Sequence, residues 1–463
     1  MCGAFSLLLG ALTTAGCARI EHQPEPLQRD SGWEGFAQRT LEDDSLRQFL
    51  SDTGMPSEIW PLPAWDFERL TLAMLHFNPD LEVSRARWRL RLAEGELASQ
   101  RPGPRVDVQL EHHSDTSDGN DSLPAWSAGF VFELLIERAE KRNARREHWQ
   151  ALAAAARLDV EAQAWQLRAQ LRDQLLARRD IESRLALLEE RQTLIEEAVE
   201  LLRRREQLGQ AGSFEVGTMR LELSRQTLAM AQARVERNEV DNEIARIIGI
   251  TPAAWQEATF DWQGIAELSA PDRLDSATLQ RDALLNRHDL GKALEDYAAE
   301  EWAVKLAIES QYPDITLSPG YLFDQNDNVW MVGISWLSAL LHNHGPAIEA
   351  ALARRELAAA RFRAMQAAII SRVLAALANY RGRYALIAEA RNLLAAQQTR
   401  RDLIERELEL GYADRLDALR AQLELIEAEI ALHDARVAAM KAYGTLENTI
   451  QRPMDKRMTH DET

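Results

Sequence analysis

Cysteine is almost missing from this 463-residue chain, which holds only Cys2 and Cys17. That excludes a disulfide framework and a thiolate zinc site. No uncharged apolar run reaches the roughly 18 residues a membrane-spanning helix needs, which excludes an all-helical membrane protein. A transmembrane β-barrel stays open, because its strands are short and only half apolar. Positive charge is in deficit: Lys+Arg 54 against Asp+Glu 73 gives a formal net charge of −19, which argues against nucleic acid as a partner. There is no phosphate-cradling glycine loop, nucleophile elbow or HExxH, so neither an enzyme nor a cofactor is expected. His112-His113 and His342-Asn343-His344 are the only close histidine groups. No cysteine accompanies them, and no metal site is assigned.

Glycine and proline are also absent between Ala139 and Leu208, and that local absence organises the rest. As one α-helix the stretch extends roughly 105 Å at 1.5 Å per residue, more than an ordinary domain can house. Ile181, Leu185, Leu188, Ile195, Val199 and Leu202 follow a 4-3-7-4-3 spacing, with Gln192 at the skipped place. Such a seam packs against neighbouring helices. Gly209-Gln210-Ala211-Gly212 stops this helix, and a return helix is predicted over 214–248.

What precedes the long helix has a different period. Residues 1–16 read as an export signal, and Thr13-Thr14-Ala15-Gly16-Cys17 resembles a lipobox, which makes Cys17 a lipidation site. An ordinary secretory signal or a buried N-terminal segment are the alternatives. Residues 17–60 form a mixed lead-in. After Arg101-Pro102-Gly103-Pro104 the pattern alternates: Val106, Val108 and Leu110 face one way, Asp107, Gln109 and Glu111 the other. Across a polar loop, Trp126, Ala128, Phe130, Phe132, Leu134 and Ile136 form a second row. Strands are predicted at about 104–113 and 124–136, each near the ten residues of a tilted transmembrane strand. A soluble hairpin half-buried on a core is the alternative, but no other strand-rich region supplies that core.

The pattern then repeats. Arg287-His288-Asp289-Leu290 stands where Asn78-Pro79-Asp80-Leu81 stood, an offset of 209, and Pro313-Asp314-Ile315 repeats Pro104-Arg105-Val106 at the same offset. Strands are predicted at about 313–323 and 329–337, with Trp330, Val332, Ile334 and Trp336 as one row. A long helix follows over 347–410, interrupted only by Gly382, and a return helix over 412–445. Gly411 is matched to Gly212 at an offset of 199, as though the second copy were about ten residues shorter. The chain is thus divided into a first repeat at 61–250, a connector at 251–276, a second repeat at 277–449 and a polar tail at 450–463. Four strands cannot close a barrel, and open edges cannot survive in lipid, so other copies must complete the sheet.

The doubled order of parts, the Asn-Pro-Asp-Leu and Arg-His-Asp-Leu helix starts and Tyr312-Pro313-Asp314-Ile315 before paired strands resemble the TolC-type outer-membrane efflux channels. The run from Leu340 to Ala350 resembles the strand-to-helix junction of the branch paired with heavy-metal exporters. The resemblance implies a mainly α chain with a membrane β-barrel contribution. Long antiparallel hairpins would form a periplasmic α-barrel, and three sets of four strands a twelve-stranded barrel in outer-membrane lipid. It implies a homotrimer serving as a passive exit duct for metal cations or small toxic compounds. Its partners would be a periplasmic adaptor and an inner-membrane pump of the resistance-nodulation-division type.

In such channels the hairpin tips form the periplasmic gate and the adaptor contact, here Gly212, Ser213, Gly411 and Tyr412. Asp417 stands six residues after Gly411, where the family often has a pore-facing acid, and Arg420 replaces a frequent second one. Asp417, Asp414 and Glu215 are the candidate pore carboxylates; the alternative is that they are solvated helix-start acids favoured by the helix dipole. Trp126, Phe130, Phe132, Trp330 and Trp336 are the candidate lipid-facing residues. A lipid-anchored periplasmic coiled-coil tether is the alternative function, and it has no use for those outward aromatics.

Overall fold

The computed structural model describes residues 22–454 apart from 31, 56–58, 115–116, 119–120, 263–264, 266–267 and 337–342. The predicted export signal, Cys17, residues 340–342 of the strand-to-helix junction and the tail from 455 lie outside the described residues.

Short helices α1 (Trp33–Ala37) and α2 (Asp44–Asp52) lead into α3 (Phe67–Phe77) and α4 (Pro79–Ser99). Asn78 separates the last two for a local reason. Its side chain accepts the Leu81 amide, and Pro79 occupies the first turn, where a missing N–H costs nothing. Strands β1 (Arg105–His112) and β4 (Trp126–Ile136) flank a loop that carries a two-residue ribbon, β2 (Ser117–Asp118) with β3 (Asp121–Ser122). That ribbon adds order to a loop whose composition indicated only polarity. Then come α5 (Ala139–Gln207), α6 (Ser213–Ile248) and the short α7 (Pro252–Gln256). The second half runs α8 (Ser276–Asn286), α9 (His288–Glu309), β5 (Ile315–Asp324), β6 (Asp327–Ser335), α10 (Gly345–Glu409) and α11 (Arg415–Ile450). Gly382 does not interrupt α10; it lies on an open face with nothing near its Cα hydrogens.

The sheet is antiparallel in the order β1-β4-β5-β6. The helices follow the same lateral order: α5 lies between α4 and α9 near the sheet, and between α6 and α11 farther away, with α10 beyond both α9 and α11. One flank of the chain therefore carries β1, α4 and α6, the other β6 and α10.

The two halves are in closer phase than the sequence indicates. Gly209 and Gly411, not Gly212 and Gly411, are the equivalent tip glycines. Both follow a C-cap leucine, Leu208 or Leu410, and both have positive φ, 72° and 78°. The offset there is 202, and it holds at the return-helix ends Ile248 and Ile450. The second copy has thus lost seven residues rather than about ten. The difference arises in the connectors: residues 113–125 join the first strand pair, and only Gln325 and Asn326 join the second.

Each repeat joint has its own core. The first gathers Leu70, Met74, Phe77, Leu81, Leu171, Leu175, Ile244, Ile247 and Ile248; the second gathers Leu290, Ile369, Val373, Tyr380, Leu446 and Ile450. The mixed lead-in joins the first core: Leu41, Leu46 and Leu50 are buried in it, and Arg39 Nη1 donates to the carbonyl of Phe77 at 3.2 Å. The tail is packed as far as Met454, which is buried and whose carbonyl accepts the Tyr443 hydroxyl at 2.6 Å.

Candidate functional site

The outer row of the sheet comes first. Across each strand pair, partners share a face. Phe130 pairs with Tyr321, and Tyr321 with Trp330, so β4, β5 and β6 extend one aromatic row. Val108, Trp126, Phe130, Phe132 and Trp330 are all exposed, Trp330 at 79%. Trp336 is exposed too and stands one residue beyond β6. The opposite face is small or polar at Ser127, Gly129, Ser318, Gly320 and Gly333. At Gly129 a Cβ would overlap the Tyr321 carbonyl, so this face admits no side chain there.

At the far end the two hairpin tips pack on each other. Ala198 and Leu202 of α5, Val216 of α6, and Leu416 and Leu419 of α11 form one buried cluster. Six ion pairs run along the contact between α5 and α11: Arg168–Glu447 at 2.6 Å, His433–Asp180 at 2.8 Å, Lys441–Asp180 at 3.9 Å, Arg191–Glu427 at 3.5 Å, Arg415–Glu197 at 2.7 Å and Arg205–Asp414 at 3.0 Å. Most are partly exposed, where a pair is worth about 0–1 kcal/mol, so this ladder fixes register more than it adds stability. Sequence reasoning missed it. The spacing within each helix is unremarkable, and only the antiparallel overlay of residues more than 200 apart brings the charges together.

Glu215 and Asp417 occupy equivalent places at offset 202, each three residues into a return helix after the N-caps Gly212 and Asp414. They differ in surroundings. Glu215 is exposed and makes no ion pair among the described residues. Asp417 accepts the Asp414 amide at 3.3 Å in a reciprocal capping box, with Arg420 3.8 Å away. Asp414 accepts the amides of Leu416 and Asp417 as well as the Arg205 guanidinium. Burial pushes its carboxyl up, but those donors outweigh it and hold it below the usual carboxylate range. Gly212, Ser213, Gly411 and Tyr412 lie exposed at the tips, Tyr412 at 84%.

The flanks are apolar and unpartnered. Phe214, Leu221, Leu228 and Val235 form an exposed heptad stripe on α6, and Val83, Leu90 and Leu97 continue it on α4. The opposite flank exposes Leu386, Leu393 and Leu403 on α10. Such stripes on a soluble surface mark sites of association.

The fold and site together define one segment of a wall: a sheet with two open edges, continued by helices with two apolar flanks. Comparison with known proteins agrees. Residues 73–250 and 279–450 match the family described as outer membrane efflux protein, so the chain belongs to that family, one of channels rather than enzymes. Among solved structures it is similar to the outer-membrane channel OprN, at 18% identity and a TM-score of 0.68 over 94% of this chain and 99% of that one. VceC of Vibrio cholerae is similar at 16% identity and 0.69, over 84% and 97%. CmeC of Campylobacter jejuni is similar at 13% and 0.67, over 93% of each. At these identities the likeness is one of fold. No curated protein sequence matches the chain.

Proposed function

We propose that three copies of this chain assemble into a passive exit duct across the outer membrane, fed by an inner-membrane pump through a periplasmic adaptor. The observation that carries this reading is the pair of open flanks. Strands β1 and β6 each present an unpaired edge, which lipid cannot satisfy. The same two flanks carry the α6/α4 and α10 stripes, so a neighbouring copy covers an edge and a stripe at once. A contact between different surfaces closes into a ring when its rotation closes. Three copies give twelve strands; one gives too few for any barrel.

In that assembly Trp126, Phe130, Phe132, Trp330 and Trp336 face lipid, and Glu215, Asp414 and Asp417 gather at the narrow periplasmic end. Gly212, Ser213, Gly411 and Tyr412 meet the adaptor. Asp417 and Glu215, repeated three times each, form carboxylate rings that favour cations. Lipid on Cys17 adds an anchor, the pump is of the resistance-nodulation-division type, and the cargo is metal cations or small toxic compounds. The sequence holds no phosphate-cradling glycine loop, and in this reading the pump supplies the driving force. The coiled-coil tether leaves the exposed aromatic row without a role. Single-channel recording in planar bilayers tests the duct: discrete conductance steps are expected, and a preparation that folds and inserts yet never conducts contradicts it.

A further inference from the structure

At the end of the sheet remote from the helices, three strands are joined by a chain of polar groups that the duct itself does not require. Ser127 on β4 is fully buried. Its hydroxyl meets Asp324 of β5, and it lies 2.7 Å from Nε2 of His113, which is itself 3.1 Å from Asp324 Oδ1. The protons are placed by elementary chemistry. A carboxylate only accepts, and serine has one proton to give, so Ser127 donates to Asp324. Nε2 of His113 must then be the donor to Ser127. That leaves Nδ1 of the neutral ring with its lone pair free, and it has no protein partner among the described residues.

Proteins prepare an imidazole for a metal by holding one ring N–H with a hydrogen-bonded carboxylate, which fixes the tautomer and raises the basicity of the other nitrogen; here Asp324 acts through Ser127 and from 3.1 Å directly. A second donor shares its face. Glu111 is two residues earlier, with Cα atoms roughly 7 Å apart in extended backbone, and the ladder continues past β1 through the His113 amide bonded to the Ala125 carbonyl. It is exposed and makes no ion pair among the described residues. The strand register fixes that face. Glu111 pairs with Ser127, one step from the outward Trp126, so Glu111, His113, Ser127 and Asp324 all lie opposite the aromatic row.

We infer that Glu111 and His113 Nδ1 form a cation subsite for late first-row divalent ions such as Cu²⁺, Ni²⁺ and Zn²⁺, on the inner wall at the outer mouth, with Asp324 and Ser127 as positioning residues. Imidazole with a carboxylate suits these ions. Among the described residues no three histidine, cysteine or carboxylate side chains converge as a full ligand set. Two protein ligands with water in the remaining positions bind weakly, as transit requires, because an ion held tightly does not leave. That this face lines a lumen rests on the proposed duct.

The test uses the full chain in lipid nanodiscs, titrated with Cu²⁺ alone and followed by electron paramagnetic resonance. One ion per chain with a single-imidazole nitrogen signature is expected. His113→Ala abolishes it. So does His113→Gln, which keeps a donor for Ser127 but has no Nδ1. Asp324→Asn weakens binding about ten- to a hundredfold. His112→Ala leaves it unchanged, since that ring packs on Trp126 across the sheet. A signature that survives both His113 variants, or that ignores Asp324→Asn, overturns the site. Conductance of the same preparation separates the two claims: a conducting protein without this copper signature loses the subsite alone, whereas a non-conducting one contradicts the duct.

Discussion

Arg205 Nη1 lies 3.0 Å from Asp414 Oδ2, tying the last turns of one long helix to the cap of the other repeat's return helix. The same carboxylate holds the first turn of α11, so one side chain links the two hairpin tips and starts a helix. Asp414→Ala removes both roles. A loss of about 1 kcal/mol is expected from the cap, read as faster amide exchange over residues 414–420. Asp414→Asn keeps an acceptor for the amides and costs less, because the partly exposed pair contributes under about 1 kcal/mol. The folded-state carboxyl sits below its ordinary value. Its contribution is therefore present above the unfolded pKa of about 3.9 and is lost as pH falls through the lower folded value. Protection at the tips, corrected for intrinsic exchange, stays flat from pH 7 to about pH 4 and declines below it.

Asn78 and Arg287 open equivalent helices and reach the same place by different chemistry. Asn78 Nδ2 donates to the Ile247 carbonyl at 2.8 Å, and Arg287 Nη1 to the Thr449 carbonyl at 2.7 Å; each acceptor is the penultimate residue of a return helix. Asn78 is 2% exposed. Asn78→Ala is expected to cost about 2 kcal/mol, a cap and a buried hydrogen bond together. Asn78→Asp keeps the cap but sets a buried carboxylate against a carbonyl. It is at least as damaging at pH 7 and recovers in acid, where the protonated carboxyl donates. Thermal unfolding at both pH values checks the order.

The residues that end the return helices give an asymmetric pair. Gly249 has φ of 91°, and a Cβ there would overlap the Phe77 carbonyl. Gln451 takes the same left-handed turn at φ 52°, and its side chain accepts the His288 amide at 2.8 Å. Gly249→Ala is expected to cost more than about 2 kcal/mol, from strained backbone and a clash that backbone atoms cannot relieve. Gln451→Gly relieves strain while losing one hydrogen bond, so its unfolding midpoint stays within a few degrees of the parent.

The flank stripe predicts a defect of assembly rather than of folding. Leu221→Arg with Leu228→Arg places charge on an exposed α6 surface that the single chain does not pack. Helical content by circular dichroism is expected to be unchanged while sedimentation shows smaller particles. Unaltered assembly would remove α6 from the proposed contact.

Much of this architecture was legible because its signals are periodic and long. The absence of glycine and proline from Ala139 to Leu208 gives a helix observed over Ala139–Gln207, and Leu185, Leu188, Ile195, Val199 and Leu202 of its seam are buried. The alternating rows give strands at Arg105–His112 and Trp126–Ile136, with their apolar face outward. What was hidden depends on residues distant in sequence. The true tip equivalence, Gly209 with Gly411, shows only through positive φ, since Gly212 sits three residues away in an otherwise suitable position. The packing of the mixed lead-in was hidden because Leu46 and Leu50 on the short α2, and Leu41 in the turn before it, find their core against α3. His113 gave no metal signal because its orienting carboxylate, Asp324, belongs to the other repeat.

The central claim is that a single chain is one third of a wall. Native mass spectrometry of the protein released from lipid nanodiscs tests it most directly. The account predicts three chains per particle, dissociating to one chain only when the sheet signal in circular dichroism is lost. A folded, lipid-embedded single chain that keeps its sheet would contradict it.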